Sequence, residues 1–393
     1  MIIDEITLIV SVSVILLTLI LQLFNPFRRK ARQLKHLNET TSDGVVPPLS
    51  LVVIAQGKPN ALEENLPLFL QQQYNSDWQI IVVADKDDGA TEDVLKRFNG
   101  AHNLYTTFLP SQSRYVSRKK MAVTLGVKAA KNNWVVLVDV DCKPLSVNWL
   151  STLAQSMNGQ TDIVMPYGQY PQDTKDFYRF ERIHSWLYLE RAARKRAYRT
   201  NTPCLAFKKD LFLSGGGYMG NLDQVFGEYE FIVNKFAKKG NTAVDLPTTS
   251  WIESPFFSKA YWDDQQVHTM EMKSMFRKSF CVNTLFKLDQ FAKFFNIILL
   301  LAAIIYGIIS TRYVISIVSL LLIFYIIFIR IRFARQALAA FCKTDDDDDD
   351  TVKGDSIASW KIIPFEWRLF YEKIRHKIQY LKADEIEFTT HKL

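Results

Sequence analysis

Three long runs of uncharged, apolar residues limit the possible folds of this 393-residue chain more than any other feature. The first run, residues 7–24, is about as long as a helix must be to cross a bilayer. Residues 294–309 and 313–329 form two further runs that only a Ser-Thr-Arg segment separates, so they predict a tight helical hairpin. The sequence therefore predicts one N-terminal and two C-terminal transmembrane helices.

Charged residues flank these runs in an order that predicts their orientation. Asp4 and Glu5 precede the first run and RRKARQLK follows it, which is the reverse of a signal peptide and predicts a retained anchor. The segments KSMFRK and RIRFAR add positive charge before and after the hairpin. Because basic segments prefer the cytoplasmic side, we predict a multi-pass protein of the inner (plasma) membrane. Residues 25–292 and 331–393 would be cytoplasmic.

The net charge of +7 does not indicate a nucleic-acid partner. The basic residues concentrate beside the apolar runs, and no RNA- or DNA-binding motif accompanies them. Anionic lipid headgroups are the simpler partner. The chain has four cysteines, without a metal-ligand spacing, and they fit a reduced cytosolic setting.

From Pro47 onward, apolar strand patterns alternate with helix patterns. The predicted order is strand 49–56, helix 61–73, strand 78–85, helix 91–98, strand 104–109, helix 119–131 and a strand from Trp134. Near-continuous apolar strands with helical crossovers predict an α/β domain with a mostly parallel sheet covered on both faces. Beyond Asp162 the strand and helix patterns are weaker. A helix pattern covers residues 177–199, and short strands are predicted near CLAFKK and TAVDL.

The strand WVVLVDVDCKP ends in two carboxylates one residue apart, Asp139 and Asp141. A buried carboxylate is costly unless a positive group meets it, and ligands of such sheets bind outside the carboxyl ends of the strands. An Asp-x-Asp at that edge suits Mg²⁺ or Mn²⁺, which take oxygen ligands and keep positions open for a diphosphate. Asp85 ends the second predicted strand and would lie at the same edge.

These residues and their surroundings resemble the family 2 glycosyltransferases, which have the Rossmann-like GT-A fold and use nucleotide sugars. The best match is KKMAVTLGVKAAKNNWVVLVDVDCKPLSVNWL, with its lysine-led helix, strand, Asp-x-Asp and following Trp-Leu. LAFKKDLFLSGGGY is similar to the acceptor-side segment of the family. The resemblance covers residues 48–255, about half of the chain, and implies a membrane-anchored member of bacterial type.

The resemblance implies roles for four of these residues. Asp85, Lys120 and Asp139 would bind the nucleotide, and Asp141 would ligate Mg²⁺ or Mn²⁺ at the diphosphate. Each also has a plainer interpretation, since Asp often forms turns after strands and Lys120 could be a cation on a helix face.

The expected catalytic base falls in GEYEF, residues 227–231, where the family usually has E-D-x-D-L or G-D-D-D-L. Anchoring on the last acid places Glu228 as the general base, which takes a proton from the acceptor hydroxyl during an inverting attack. Glu230 is then the second acid, on the acceptor side. Glu228 could instead favour the start of its helix through the helix dipole.

Two further departures concern the acceptor. The Gln-x-x-Arg-Trp motif of processive synthases is absent, and only QQVHT lies near its place, so we predict non-processive transfer. His268 of that segment is a candidate acceptor contact, although a packing or surface role is the plainer interpretation. Members of the family usually have a glycine-containing segment before the acceptor-side strand, and this chain has RTNTPC in its place.

The leading hypothesis is a membrane-bound, inverting, non-processive glycosyltransferase. It would transfer a sugar from a UDP- or GDP-sugar to a glycan or lipid-linked acceptor in surface polysaccharide or glycoconjugate synthesis. The alternative is a catalytically degenerate relative that binds nucleotide sugars or glycans as a scaffold, which Tyr229 in the altered motif suggests. A nucleotidyltransferase is less favoured, because IAQGKPN is a poor match to a glycine-rich phosphate loop.

The predicted domain order follows from these assignments. A transmembrane anchor (1–25) and a basic linker (26–46) precede the GT-A domain (47–255), a juxtamembrane segment (256–292), the transmembrane hairpin (293–330) and a cytoplasmic tail (331–393). The tail contains an acidic linker at 345–350 and an amphipathic helix at 360–382. That helix could lie in the membrane interface or pack on protein, and the sequence does not separate the two.

Overall fold

The computed structural model describes residues 4–25, 27–28, 46–110, 117–244, 247–276, 280–339, 341, 357–383 and 388, and only the backbone of 280–286. The acidic run at 345–350 and most of the basic linker lie outside these residues. The chain divides into two compact units. One consists of Met1–Thr40 and Phe280–Glu372, and the other of Thr41–Ser279 and Lys373–Leu393.

The described residues of the larger unit form ten strands in two sheets. They are β1 (Leu49–Ile54), β2 (Trp78–Asp85), β3 (Leu104–Leu109), β4 (Trp134–Asp139), β5 (Lys143–Pro144), β6 (Ile163–Val164), β7 (Gly168–Gln169), β8 (Cys204–Lys208), β9 (Thr242–Ala243) and β10 (Ile252–Glu253). The large sheet has the order β3-β2-β1-β4-β8-β6-β9, and the small one β5-β10-β7. Strands β1 to β4 are parallel and β8 is antiparallel, which confirms the predicted mostly parallel sheet.

The α-helices alternate with the first strands as predicted. They are α1 (Glu5–Leu21), α2 (Pro59–Leu70), α3 (Gly89–Arg97), α4 (Arg118–Ala129), α5 (Trp149–Ala154), α6 (Asp176–Ala193), α7 (Lys209–Ser214), α8 (Glu228–Phe236), α9 (Lys259–Met275), α10 (Phe280–Ile309), α11 (Tyr313–Ala339) and α12 (Ile362–Lys382). Short 3₁₀ turns occur at Gln22–Phe24, Thr248–Ser250 and Ser359–Lys361.

The register of the parallel strands brings the predicted site residues to one edge. Ile54 of β1 lies opposite Val83 of β2 and Asp139 of β4, so Asp85 and Asp139 both stand where the apolar strands end. The β-branched and other apolar residues before them are fully buried, which stabilises the sheet by removing apolar surface from water.

Helix α4 lies close against this sheet. A Cβ atom at Gly126 would come within 2.4 Å of Val52 Cγ1 and 3.0 Å of Val83 Cγ2. Glycine at this position therefore allows the helix to approach β1 and β2 closely, and this approach fixes the position of the lysine-rich start of α4 at the edge of the sheet.

The smaller unit contains the membrane-length helices. Among the described residues, three helical segments are long and apolar enough to cross a membrane, as the sequence predicts: Glu5–Phe24, Lys287–Ile309 and Tyr313–Ala339. Val14, Leu300 and Ile326 are buried together among these helices, and the Thr18 hydroxyl donates to Asn296 Oδ1 at 3.0 Å.

The connection between α10 and α11 is as tight as the sequence predicts. Thr311 in the turn has a positive φ of 55°. A Cβ atom at Gly307 would come within 2.4 Å of Ser316 Oγ, so glycine allows the two helices to approach closely.

Helix α12 corresponds to the amphipathic helix predicted over 360–382. Several residues of its predicted apolar face are exposed, namely Trp367, Ile374, Ile378 and Leu381. That face therefore lies on the surface of the protein.

Candidate active site

A cavity of about 820 Å³ opens at the carboxyl edge of the large sheet. Its lining comes from the ends of β1, β2 and β4, the start of α4, the segment between α6 and β8, and parts of α6, α8 and α9. Six of the seven predicted site residues line it: Asp85, Asp139, Asp141, Glu228, Glu230 and His268.

Each strand-end carboxylate in the cavity is paired with a cation. Asp139 Oδ2 accepts a hydrogen bond from Lys119 Nζ at 2.6 Å. Lys58 forms an ion pair with Asp141, and Arg118 forms one with Asp85. Arg118 and Lys119 begin α4, and Lys58 directly precedes α2. The starts of these two helices therefore place positive charge at the acidic edge of the sheet.

Tyr229 is a site residue that sequence reasoning did not assign to binding. Its buried phenol donates to Asp139 Oδ1 at 2.7 Å, and Lys119 Nζ lies 5.1 Å from its ring centroid. Burial, and next the charge of Asp139, raise the pKa of Tyr229 well above its usual value, so the phenol stays protonated and can donate. The available signal was its place between Glu228 and Glu230 in the altered motif.

Lys119 lies near three acidic residues of the cavity, Asp139, Asp141 and Glu228. Burial alone would lower its pKa, but the negative charges of Asp139, Glu228 and Asp141 outweigh burial and raise it. The ammonium group therefore stays charged within the cavity.

Lys120 is not placed as the sequence predicted. Its side chain is only 1% exposed and does not belong to the cavity lining. Its Nζ donates to the carbonyl oxygen of Asn221 at 2.7 Å and to that of Gln224. Burial lowers the pKa of Lys120 to about 8, against the raising effect of Glu228. Adjacent residues on a helix point in different directions, so Lys119 reaches the cavity where Lys120 was expected.

Glu228, the predicted base, lines the cavity at the first residue of α8 and is 7% exposed. Its Oε1 accepts a hydrogen bond from the Ser117 hydroxyl at 3.2 Å. Ser117 also caps α4 by accepting from the Lys120 amide, so one residue links the two helix starts. Glu230 is partly buried, and that burial raises its pKa.

His268 lies on α9 between aromatic and acidic partners. Its ring centroid is 3.9 Å from that of Phe226 and 5.4 Å from that of Phe388. Its Nε2 lies 3.3 Å from a carboxylate oxygen of Asp264. These contacts give His268 a packing role at the cavity wall, where an acceptor could also reach it.

The donor set at the carboxyl edge fits a hard divalent cation. Asp139 and Asp141 offer carboxylate oxygens, the ligands that Mg²⁺ and Mn²⁺ prefer. The ammonium groups of Lys58 and Lys119 at these oxygens show that the position attracts positive charge.

Comparisons with known proteins agree with this geometry. Residues 50–214 match the family model "Glycosyl transferase family 2". These residues include strands β1 to β4 and the carboxylates Asp85, Asp139 and Asp141. A search of curated proteins by sequence finds no match.

Several solved structures are similar in fold. The mannosyltransferase PcManGT from Pyrobaculum calidifontis, in complex with GDP-Man and Mn²⁺, has a TM-score of 0.51 at 16% identity, over 86% of this chain and 99% of that chain. S. aureus TarS has a TM-score of 0.40 at 13% identity, over 61% and 42% of the two chains. GalNAc-T7 with UDP, GalNAc and Mn²⁺ has a TM-score of 0.41 at 17% identity, over 55% and 45%.

The likeness to PcManGT extends over most of both chains and shows a shared fold. The family match covers the part of the chain that carries the strand-end acids. The chain is therefore similar to glycosyl transferase family 2 over residues 50–214, and its domain has the GT-A fold.

Proposed function

We propose that this protein is a membrane-bound, inverting, non-processive glycosyltransferase that uses a UDP- or GDP-sugar. Its acceptor is a glycan or a lipid-linked molecule in surface polysaccharide or glycoconjugate synthesis. The observation that carries the proposal is the convergence of Asp85, Asp139, Asp141 and Glu228 on one cavity of about 820 Å³. That volume lies within the usual range for small-molecule sites.

The donor half of the site is formed by the strand ends. Asp85 accepts hydrogen bonds from the base or ribose, and the cations Lys58, Arg118 and Lys119 stand close enough to the same edge to meet phosphate oxygens. Asp141, with Asp139 beside it at the nucleotide, would hold Mg²⁺ or Mn²⁺, and the metal would offset the charge of the leaving nucleoside diphosphate. The complex of PcManGT with GDP-Man and Mn²⁺ supports this choice of ligands.

Glu228 acts on the acceptor as the general base. Its carboxylate takes the proton of the acceptor hydroxyl while that oxygen attacks the anomeric carbon from the face opposite the diphosphate. The bond from the anomeric carbon to the diphosphate oxygen breaks, and its electron pair leaves with the nucleoside diphosphate. The hydrogen bond from Ser117 holds the carboxylate in a fixed orientation.

One observation favours the alternative of a binding-only relative. Tyr229 and Lys119 occupy both carboxylate oxygens of Asp139 with hydrogen bonds. A protein that holds nucleotide sugars through these groups without transferring the sugar would serve as a scaffold.

Nucleotide-sugar binding by the full chain in detergent tests the proposal. Because a ligand that binds the folded state raises its apparent stability, a UDP- or GDP-sugar with Mn²⁺ should raise the melting temperature, and chelation should reverse the effect. Asp141→Ala should abolish the shift, whereas Asp93→Ala, at an exposed position of α3, should retain it.

Transfer to glycan or lipid acceptors and hydrolysis of the bound nucleotide sugar separate the two functions. Metal-dependent binding without either activity would favour the scaffold. An unchanged metal-dependent affinity in Asp141→Ala would contradict the assignment of the metal site.

A further inference from the structure

Two arginines line the cavity without an ion-pair partner among the described residues: Arg182 of α6 and Arg199 before β8. Within the part of the chain that the structure describes, no carboxylate oxygen lies within 4.0 Å of either guanidinium group. The cations Lys58, Arg118 and Lys119, by contrast, each pair with a strand-end acid. The cavity therefore contains positive charge that no carboxylate of the described residues neutralises by direct contact.

Arg182 is only 8% exposed. Its Nε donates to the Gly168 carbonyl oxygen at 2.8 Å, and its Nη2 donates to Ser254 Oγ at 3.4 Å. Its guanidinium carbon lies 4.8 Å from the ring centroid of Tyr170. Burying a charge without a counterion is costly, so an anion that enters the cavity next to Arg182 would gain a strong interaction.

The lining that contains this arginine also contains buried polar atoms that have no hydrogen-bond partner in the described part of the chain. The Thr202 hydroxyl belongs to a residue that is 2% exposed, and it has no hydrogen-bond partner among the described residues. The same holds for the amide oxygen and nitrogen of Asn201. Both residues line the cavity. Buried polar atoms in native proteins are nearly always hydrogen-bonded, so these groups point to a bound ligand with several oxygen atoms.

Arg182 and Thr202 both lie next to Gly168. A Cβ atom there would come within 2.7 Å of Thr202 Cγ2, 3.0 Å of Ser254 Oγ and 3.2 Å of Arg182 Nη2. The arginine and the unpaired threonine thus surround the same glycine. Arg199 and Asn201 belong to the same RTNTPC segment as Thr202.

This segment borders the reaction centre. The backbone amide of Asp139 donates to the Pro203 carbonyl oxygen at 3.3 Å. Burial raises the pKa of Glu230, and the charge of Arg199 acts against that rise, so these two residues interact. An anion held by RTNTPC would therefore lie near both the donor carboxylates and the acids of α8.

We propose that Arg182, Arg199, Asn201 and Thr202 form a subsite for a phosphate group of the acceptor. The inference rests on the proposed function and names the acceptor class: a molecule with a phosphate ester, carried either by a lipid or by a soluble sugar. Guanidinium groups bind phosphate with paired hydrogen bonds. The two arginines, the amide and the hydroxyl together offer more donors than the two oxygens of a carboxylate would use.

Acidic residues on the same wall limit the charge of the ligand. Glu181 and Glu230 also line the cavity. Two arginines facing two carboxylates suit a single phosphate group better than a polyanion. The donor diphosphate has its own cations at the strand ends.

Binding of model phosphates to the full chain in detergent tests the subsite. Farnesyl phosphate, glucose 6-phosphate and farnesol would be titrated by calorimetry, with and without UDP or GDP and Mn²⁺. Farnesol should bind at least tenfold more weakly than farnesyl phosphate. Preference for farnesyl phosphate over glucose 6-phosphate identifies a lipid acceptor, and the reverse order identifies a soluble sugar phosphate.

Three variants make the test specific. Arg199→Gln should weaken phosphate binding about tenfold or more, the size expected for a hydrogen bond between charged groups. Arg194→Gln is the matched control, because Arg194 is exposed, pairs with Glu190 at 3.1 Å and lies outside the cavity lining. Thr202→Val should weaken binding severalfold without loss of melting temperature, because it removes a hydroxyl to which no described residue hydrogen-bonds.

Two results would overturn the subsite. One is an unchanged phosphate affinity in both Arg199→Gln and Thr202→Val. The other is direct competition between the phosphate probe and UDP or GDP, which would assign the arginines to the donor. Nucleotide affinity, measured in the same samples, reports separately on the proposed function: phosphate binding that persists in a protein without nucleotide binding would support the subsite alone.

Discussion

Two consecutive lysines at the start of α4 have different surroundings. Lys119 contacts Asp139 and the ring of Tyr229 in the cavity, whereas Lys120 binds two backbone carbonyl groups of the 221–224 loop. The first contributes charge to the site, and the second ties α4 to the loop that leads to α8. A variant at each position can therefore separate ligand binding from stability.

Lys119→Met and Lys120→Met form a matched pair. Lys120→Met should lower the free energy of unfolding by about 1–3 kcal/mol, because two buried carbonyl oxygens lose their donor. Its nucleotide affinity should change little. Lys119→Met should reduce nucleotide affinity about tenfold or more, since it removes a cation from the donor edge. Melting curves and nucleotide titrations of both proteins measure the two effects, and the reverse pattern would restore Lys120 as the nucleotide contact.

Glu228 is the residue on which catalysis depends in the proposed mechanism. Glu228→Gln keeps the volume of the side chain and can still contact Ser117, but it cannot take a proton. Transfer should fall by about 10²- to 10⁴-fold, the usual contribution of a general base, with nucleotide-sugar affinity nearly unchanged. Glu63→Gln, on the exposed side of α2, is the control. Wild-type rates in Glu228→Gln would exclude it as the base and leave Glu230, the other acid of the altered motif, as the candidate.

At the scale of elements, the start of α8 depends on a glycine. Gly227 precedes Glu228 and has a φ of 87°, a backbone conformation that residues with a side chain rarely adopt. A Cβ atom there would come within 2.1 Å of Met272 Cε on α9. The close packing of α8 against α9 and the position of Glu228 therefore both depend on glycine at position 227.

Gly227→Ala should lower both stability and transfer. The left-handed conformation costs a non-glycine residue about 1–2 kcal/mol, and the contact with Met272 adds to it. Gly240→Ala is a matched control, because Gly240 has a φ of 83° with no atom within 4 Å of its added Cβ. Melting temperatures should fall in both variants, more in Gly227→Ala, and transfer should fall only there. Equal effects on transfer would show that α8 does not position the base.

At the scale of the whole molecule, the three membrane-length helices and the charge around them predict the topology. If all three of these helices cross the membrane, Asp4 before the first and Phe341 after the last would lie on opposite sides of it. The basic segments favour a cytoplasmic location for the middle of the chain and for the tail. The predicted side of the membrane for each segment, from the anchor at 1–25 to the tail at 331–393, depends on the same orientation.

A reporter enzyme that is active only in the cytoplasm tests this orientation. Fused after Leu393, it should be active, because the tail is predicted to be inside. Fused to a chain that ends at Thr311, between α10 and α11, it should be inactive, because the hairpin turn is predicted to be outside. Activity in the opposite order would mean that the orientation read from the basic segments is wrong.

The sequence by itself determined the local elements and the edge of the sheet at which the cavity opens. Periodicity predicted β1 to β4 with their crossover helices, and the length of the apolar runs predicted the three membrane-length helices. Asp85, Asp139 and Asp141 could be assigned because a strand that ends in a carboxylate has a known place in a parallel sheet. These are properties of neighbouring residues, which a sequence displays directly.

Only the tertiary structure decided which side chains meet in the cavity. Tyr229 and Asp139 are 90 residues apart in the chain, and their hydrogen bond depends on how α8 packs against β4. The choice between Lys119 and Lys120 depends on the rotation of α4, and the close approach at Gly126 fixes that rotation. Arg182 and Thr202 come together around Gly168 through the small sheet. Such contacts follow from packing between distant segments, which local periodicity does not specify.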